Sequence, residues 1–336
     1  MPDLSSLAVV YSLPTNRSMK LGYVATDLDT KDSAEEVQDA LLLKGYTTML
    51  TPVSENLIRS RIHAIHADCI FNLIEWTGAD LPLADTAFGE IEKTGIPFTG
   101  ATRKNYMTTT DKIPMKRLLD SAGVSTPRWQ MFTSGKERIR SDFVYPVIVK
   151  LALEHCSIGL TYDAIVHTPK DLRERVNNRL SRFSQSVLAE EFIDGRELQV
   201  TNLETPSGIR MLPPAEIIYD ADVPFLTYES RWDETHPDYD KSYVTLSSLT
   251  DVQMKHLEKL SETIFTTLHF HDYNRLDLRI KGDTVYILEA NANPGLSDSD
   301  EYGMTISYKA AGMTFADFVD AIVVSCMRRF HRRKHP

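Results

Sequence analysis

Apolar and polar positions alternate along the chain with two different periods. Residues 7–11, LAVVY, form a short continuous apolar run of strand length, and "DCIFNLI" at 68–74 forms a second. Between them, "DSAEEVQDALLLKGYTTML" places Val37, Ala40, Leu41 and Leu42 at helical spacing. Ser33 fits an N-cap with Glu36 at N3, and Gly45 ends the helix. "DTAFGEIEKTGIPFTG" then reads as a helix running into a turn and a strand. Strand and helix alternate here, which predicts a small open α/β unit.

A second region opens with "TTDKIPMKRLLDSAGVSTPRW". Met115, Leu118 and Leu119 share one helical face, Gly123 stops the helix and Pro127 follows. "YPVIVK" (145–150) reads as a strand ending in lysine, and "SQSVLAEEFIDGRELQV" (184–200) as a strand with acids at its end before Gly195. The five prolines of 205–245 predict a loop-rich segment. A helix over roughly 250–268 leads to "NRLDLRI" and "TVYILEAN", a hairpin around Gly282. The last helix starts at Thr314 with Asp317 three residues on, and buries Phe315, Phe318, Val319, Ile322, Val323 and Cys326 on one stripe. The basic "RRFHRRKHP" reads as a frayed C-terminus whose charges suit the negative helix end, in preference to a nucleic-acid patch.

Composition adds exclusions. The 336 residues are 42% hydrophobic and 25% charged with a net charge of −10, which argues against nucleic acid or an anionic membrane as partner. Cys69, Cys156 and Cys326 lie far apart with no C-x-x-C pair, so spacing indicates neither a zinc site nor a disulfide framework. The N-terminal "MPDLSSLAVVYSLP" lacks a basic n-region, and no run of 18 apolar residues occurs, so a cytoplasmic protein is expected.

Candidate chemistry concentrates in "YILEANANPG". Residues two apart in a strand share a face, so Glu289 and Asn291 point with Val285 and Ile287, and Arg275, Asp277 and Arg279 point together on the preceding strand. With a three-residue loop, Gly282-Asp283-Thr284, Asp277 lies opposite Glu289 and Arg275 opposite Asn291; a two-residue loop sends them to opposite faces. Two adjacent carboxylates do not both stay ionised without a cation between them, and an all-oxygen donor set suits Mg²⁺. An exposed ribbon of ion pairs fits the hairpin equally well. Lys112 and Lys150 sit at element boundaries, and Lys150 directly follows Val147-Ile148-Val149, where a cationic head is costly unless an anion meets it. The turn in "LALEHCSIGL" offers Ser157 and Gly159 for close approach to phosphate.

Taken together, "TDK" with its helix, "YPVIVK", "LAEEFIDGRE", "NRLDL" and "YILEANANPG", with "FTG" at 98–100, resemble the ATP-grasp superfamily, and within it the D-alanine–D-alanine ligase family, over essentially the whole chain. The resemblance implies an α/β (α+β) ATP-grasp fold: an N-terminal open α/β domain (1–103), a small central nucleotide domain (104–190), a C-terminal catalytic domain (191–330) and a basic tail (331–336). It implies that Lys112 and Lys150 hold the α- and β-phosphates of ATP, that Glu190, Glu191, Phe192 and Ile193 pass beside the adenine, and that Glu197 binds the ribose. Asp277, Glu289 and Asn291 would ligate two Mg²⁺ ions (or Mn²⁺), Arg275 would stabilise a tetrahedral intermediate, and Arg231 in "FLTYESRW" would meet the γ-phosphate in place of the usual lysine. The implied reaction forms an acyl phosphate that an amine then displaces, behind a lid expected at 222–245; a homodimer is also implied.

The substrate side departs from that pattern. "VVYSLPTN" replaces the usual Gly-Gly strand end, with Glu35 as the expected surviving acid. Cys156 follows His155 where a phosphate-loop serine is usual, Trp232 replaces a lid tyrosine, and Glu75 replaces a histidine. After Pro294-Gly295, "LSDSDEYGMT" carries Asp298, Asp300 and Glu301 in place of a Ser-Leu pair, a change expected to favour a cationic or amine-bearing group. Cys156 is read as packing and not as a nucleophile. The expected protein is an ATP-dependent carboxylate–amine ligase for amino acids or small peptides other than two D-alanines. Its rivals are a D-alanine–D-alanine ligase of cell-wall biosynthesis, a carboxylate kinase releasing acyl phosphate, and a nucleotide-binding regulator without catalysis.

Overall fold

In the computed structural model, which describes residues 5–334, β1 (Ser6–Ser12) lies between two parallel neighbours. After α1 (Asn16–Leu21) and α2 (Val24–Leu43) comes β2 (Thr47–Val53) on one side, and after α3 (Ile58–His63) comes β3 (Cys69–Leu73) on the other. The LAVVY run is continuous because both faces are covered. Leu7, Val9 and Tyr11 pack with Val37 and Leu41 of α2, while Ala8 and Val10 pack with Ile58 and Ile62 of α3 and Phe88 of α4 (Leu81–Thr94). One expectation fails here, and one strand had not been foreseen. Ser33 is no N-cap; it is buried inside α2, whose first turns are disguised by acids and threonines. β2 escaped notice because its threonines and Pro52 break an apolar run, and it lies at the sheet edge.

Helices α5 (Arg103–Thr110) and α6 (Lys112–Ser121) lead into an antiparallel sheet of β4 (Trp129–Phe132), β5 (Val147–Leu151), β6 (Ile165–Val166) and, after α7 (Pro169–Phe183), β7 (Val187–Glu191), in the order β4-β7-β5-β6. The buried stripe of α6 is Lys112, Met115, Lys116 and Leu119, at i, i+3, i+4 and i+7, whereas Leu118 is exposed. A lysine thus occupies a place the apolar pattern assigned to leucine.

The third sheet holds β8 (Arg196–Thr205), β9 (Gly208–Met211), β10 (Ala215–Tyr219), β11 (Ser242–Leu246), β12 (Tyr273–Lys281) and β13 (Thr284–Asn291). Its order is β11-β10-β8-β12-β13, with β9 on β8. The helices α8 (Tyr228–Trp232) and α9 (Asp251–Thr267) interrupt it, and α10 (Gly303–Ala310) and α11 (Phe315–Lys334) follow. The stretch 205–245 is therefore not simply loop: its prolines fall between three short strands and a helix.

Two polar clusters tie the first sheet to the third. Asn293 donates to Asn72 O (2.9 Å) and accepts from Ala101 N (3.2 Å). Gly100, at φ 71°, lies so close that a Cβ there would meet Asn293 Oδ1 at 2.4 Å. Asp272, wholly buried, accepts from Gly100 N and from Arg329 Nη2, each at 2.8 Å. Helix α11 starts as expected, with Thr314 and Asp317 exchanging hydrogen bonds, and buries the expected stripe. It does not fray where expected, since it continues through Lys334 and Arg329 is buried; His335 and Pro336 lie outside the described residues. Cys69 and Cys326 meet in the core as free thiols, sulfurs 3.9 Å apart. Among the described residues no single helix is long and apolar enough to cross a membrane.

Replacing Arg329 by Met should leave Asp272 as an uncompensated buried charge and cost about 3–5 kcal/mol. Urea unfolding checks this: the midpoint falls, and most of the loss returns in Asp272→Asn/Arg329→Met. An unchanged midpoint contradicts it.

Candidate active site

β12 and β13 carry the core of the site. Asp277 pairs with Glu289 and Arg275 with Asn291, but by a route other than the one expected. The loop has two residues, Gly282 and Asp283, because Lys281 pairs with Thr284; Gly282 takes φ 59° at the first central position. Such a loop would put Glu289 on the apolar face. A β-bulge prevents that: Leu278 pairs with Ile287 and Asp277 with Glu289, so Leu288 is the extra residue and shifts the register by one. Asp277, Glu289 and Asn291 consequently all line one cleft. They supply two carboxylates and an amide, a donor set of hard oxygen ligands that could hold Mg²⁺.

Each of these acids faces a cation. Arg275 donates from Nε and Nη2 to the two oxygens of Asp277 (2.8 and 3.0 Å). Lys112 Nζ stands 2.5 Å from Glu289 Oε1 and also donates to Glu154 O. Burial works against ionisation of Glu289, yet the Lys112 charge and hydrogen bond outweigh it and hold the carboxyl below its usual range. The alternative of an exposed ribbon is excluded by the burial of these side chains.

The cleft holds about 1390 Å³ of empty space, open solvent at its mouth included. At one end lie Lys150, Glu190, Glu191, Phe192, Ile193 and Glu197, and Ser157 lines the wall next to Cys156. Glu190 is clasped by two lysines: Lys150 Nζ at 2.6 Å and the fully buried Lys116 Nζ at 2.8 Å. Burial would raise the Glu190 carboxyl, but the two lysines hold it at about 2. Lys116 was not singled out in the sequence; its position one turn after Lys112 on the buried stripe is the signal that could have found it. Glu197 Oε2 accepts twice from Arg279 (2.8 and 2.6 Å). Of the backbone groups expected beside a base, Phe192 N donates to Pro146 O (2.9 Å) and Ile193 O accepts from Arg279 (2.8 Å).

At the other end the expectations split. Glu75, Cys156 and Arg231 line the cleft; so do Asp29 and Tyr302, which sequence reasoning missed. Glu35 does not: it is exposed and pairs with Lys31 (3.2 Å), and the acid that α2 points into the cleft is Asp29, hydrogen-bonded by Tyr302 Oη (2.6 Å). The early start of α2 hid this, since the register of a helix taken to begin at Ser33 says nothing of Asp29. Asp298, Asp300 and Glu301 are likewise absent from the lining. Lys309 gathers Asp298 (3.3 Å) and Asp300 (3.0 Å), and Glu301 is exposed. Trp232 supports from behind, its indole N–H donating to Cys156 O (3.3 Å) while Arg231 stacks over its ring. Phe225, Leu226 and Arg231 are what the expected lid segment contributes to the wall. Burial pushes Glu75 up to about 8, and the Cys156 thiol upward as well.

The family model described as D-ala D-ala ligase C-terminus matches residues 118–324. The chain belongs to the D-alanine–D-alanine ligase family. It is an ATP-grasp ligase of the kind that forms carbon–nitrogen bonds. A D-alanine–D-alanine ligase of Aquifex aeolicus is 30% identical over 71% of this chain and 76% of its own. One of Bordetella petrii is 28% identical over 89% and 88%, and an uncharacterized protein of Sinorhizobium fredii is 28% identical over 88% of each chain. The fold is that of the Bacillus anthracis D-alanine–D-alanine ligase solved with ATP (TM-score 0.74, 18% identity, 98% of this chain and 99% of that one). It is equally that of an Enterococcus faecalis D-Ala:D-Ser ligase (TM-score 0.74, 17% identity, 96% and 100%).

Two outcomes follow from this geometry. Deleting Leu288 removes only the extra residue and leaves Asp277 opposite Glu289, so calorimetry should find magnesium-nucleotide affinity within about tenfold of the parent, whereas inserting Ala after Leu288 moves Glu289 from opposite Asp277 to opposite Arg275, parts the two carboxylates and abolishes it. The reverse ranking contradicts the bulge. Because the Glu190 pKa is depressed, the stabilisation from its lysines is complete above pH 4.5 and is lost as the pH falls toward about 2. Glu190→Gln should therefore be less stable at neutral pH and show a shallower acid limb in a stability–pH profile; an unaltered limb contradicts the clasp.

Proposed function

We propose that this ligase joins the carboxylate of one amino acid or small peptide to the amine of another, with ATP cleaved to ADP, and that its substrates are not two D-alanines. The carboxylate attacks the γ-phosphate, giving an acyl phosphate and ADP; the amine then attacks the acyl carbon and inorganic phosphate leaves. Lys112 and Lys150 would take the α- and β-phosphates and Arg231 the γ-phosphate, while Arg275 would meet the oxyanion of the tetrahedral intermediate. Asp277, Glu289 and Asn291 would hold Mg²⁺, which when bound neutralises charge on the transferring phosphoryl group. In the structure Lys112 rests on Glu289 and Arg275 on Asp277. The anions and cations that nucleotide and metal require are thus stored against each other, and ligand entry exchanges partners without exposing a buried lone charge.

The substrate reading is carried by one observation: Asp29 and Glu75 stand in the cleft wall beside Arg231 and Arg275. An entering ammonium favours the ionised form of these buried acids and pairs with it, so the wall suits an amine-bearing group. The corrected positions of Asp298, Asp300 and Glu301 move this selectivity from the loop to α2 and the end of β3. The second reading, a D-alanine–D-alanine ligase, is favoured by the names of the relatives at 28–30% identity.

A coupled ADP-release assay over a panel of amino acids and dipeptides separates the two. The first reading expects turnover with a substrate pair that D-alanine cannot match; best turnover with D-alanine alone overturns it. No ADP release with any substrate would favour a regulator, and hydroxamate formed with hydroxylamine but no amide product would favour a carboxylate kinase. Glu289→Gln should lower ADP formation by at least about 100-fold with the fold intact, and near-normal turnover rules out this metal site.

A further inference from the structure

Glu75, just after the end of β3, meets the consecutive pair His155 and Cys156 in the cleft wall, beside the all-oxygen set on the hairpin. Glu75 Oε1 lies 3.4 Å from His155 Nδ1, and Cys156 Sγ lies 3.1 Å from the same nitrogen. The geometry points to a second cation site here, selective for a soft divalent ion of the Zn²⁺ class, with Glu75, His155 and Cys156 as protein ligands and a fourth position open to the substrate end of the cleft.

Donor chemistry is the first support. Thiolate and imidazole select Zn²⁺, Co²⁺ or Cu ions over Mg²⁺, and three protein ligands with an open fourth position is the pattern of zinc sites that bind a further molecule. Spacing is the second. Ordinary zinc bond lengths in a tetrahedron put nitrogen and oxygen ligands about 3.4 Å apart and sulfur and nitrogen about 3.6 Å apart. The Glu75–His155 separation is already at that value, the His155–Cys156 separation is about half an ångström short of it, and all three ligand atoms lie within 4.8 Å of one another.

The site is also built. Cys156 and Ser157 hold φ values of 51° and 60°, left-handed conformations that non-glycine residues adopt only where the surroundings enforce them. The enforcing contacts are present: Trp232 Nε1 on Cys156 O (3.3 Å), Ser157 Oγ on Leu226 O (2.8 Å) and Ile158 N on His155 O (3.0 Å). Glu75 is fixed from the first sheet by its N–H to Ser12 Oγ (3.1 Å). Once bound, a dication with one carboxylate and one thiolate is neutral in sum, so the complex adds no net charge beside Arg231 and Arg275, the latter already paired with Asp277.

The test needs no turnover and so stands apart from the ligase assignment. The full chain, stripped with a chelator and kept in excess Mg²⁺, is titrated with Co²⁺. A near-ultraviolet thiolate-to-cobalt band that saturates at one ion per chain, is displaced by Zn²⁺ and vanishes in Cys156→Ser is the expected result; His155→Ala and Glu75→Gln should each weaken binding by at least about tenfold. In the unaltered protein Zn²⁺ should slow alkylation of Cys156 by iodoacetamide, which reads this thiol because Cys69 and Cys326 are wholly buried. No band up to millimolar Co²⁺, a band that survives Cys156→Ser, or Co²⁺ binding that is lost only in Asp277→Asn would each overturn the site.

Discussion

Asp277 and Glu289 are forced side by side on adjacent strands, away from bulk water, and the rest of the site follows from that constraint. Two such carboxylates are tolerable only if cations answer them. Arg275 does so from the same strand, and Lys112 from the N-terminus of α6, a helix in another part of the chain. The same logic is repeated at Glu190, clasped between Lys116 and Lys150. The cleft is lined with charge, but charge held in pairs. An acidic protein thus carries in its cleft cations that a polyanion could meet.

Positioning comes from links far from the chemistry. Asn293 reaches Asn72 and the Gly100 turn, and Asp272 joins Gly100 to Arg329 at the end of α11. These contacts fix the first sheet, whose β3 leads into Glu75 and against which α2 with Asp29 packs, against the hairpin that carries the metal-ligand candidates. The two ends of the cleft thus share one frame.

What could be read in the sequence was whatever depended on local pattern. The closing helix, its Thr314 start and its apolar stripe follow from period and capping alone. The pairing of Asp277 with Glu289 was legible too, yet the reasoning behind it failed: the loop is one residue shorter than assumed, and Leu288 bulges to compensate. A bulge is a property of two strands and leaves no mark in either. Lys116 was hidden because a buried lysine mimics a break in an apolar stripe. Asp29 was hidden because the helix that carries it starts among polar residues, and the loop acids misled because Lys309, which neutralises them, lies a helix away. The Glu75–His155–Cys156 cluster depends on the contact between different sheets, which no spacing along the chain reports.

The most direct measurement is a crystal structure of the full chain with a non-hydrolysable ATP analogue and Mn²⁺, read by anomalous scattering. The account predicts manganese between the analogue's terminal phosphates and the oxygens of Asp277, Glu289 and Asn291, with Lys112 and Arg275 moved off those carboxylates. Manganese found elsewhere, with Lys112 still on Glu289 and Arg275 still on Asp277, would contradict it.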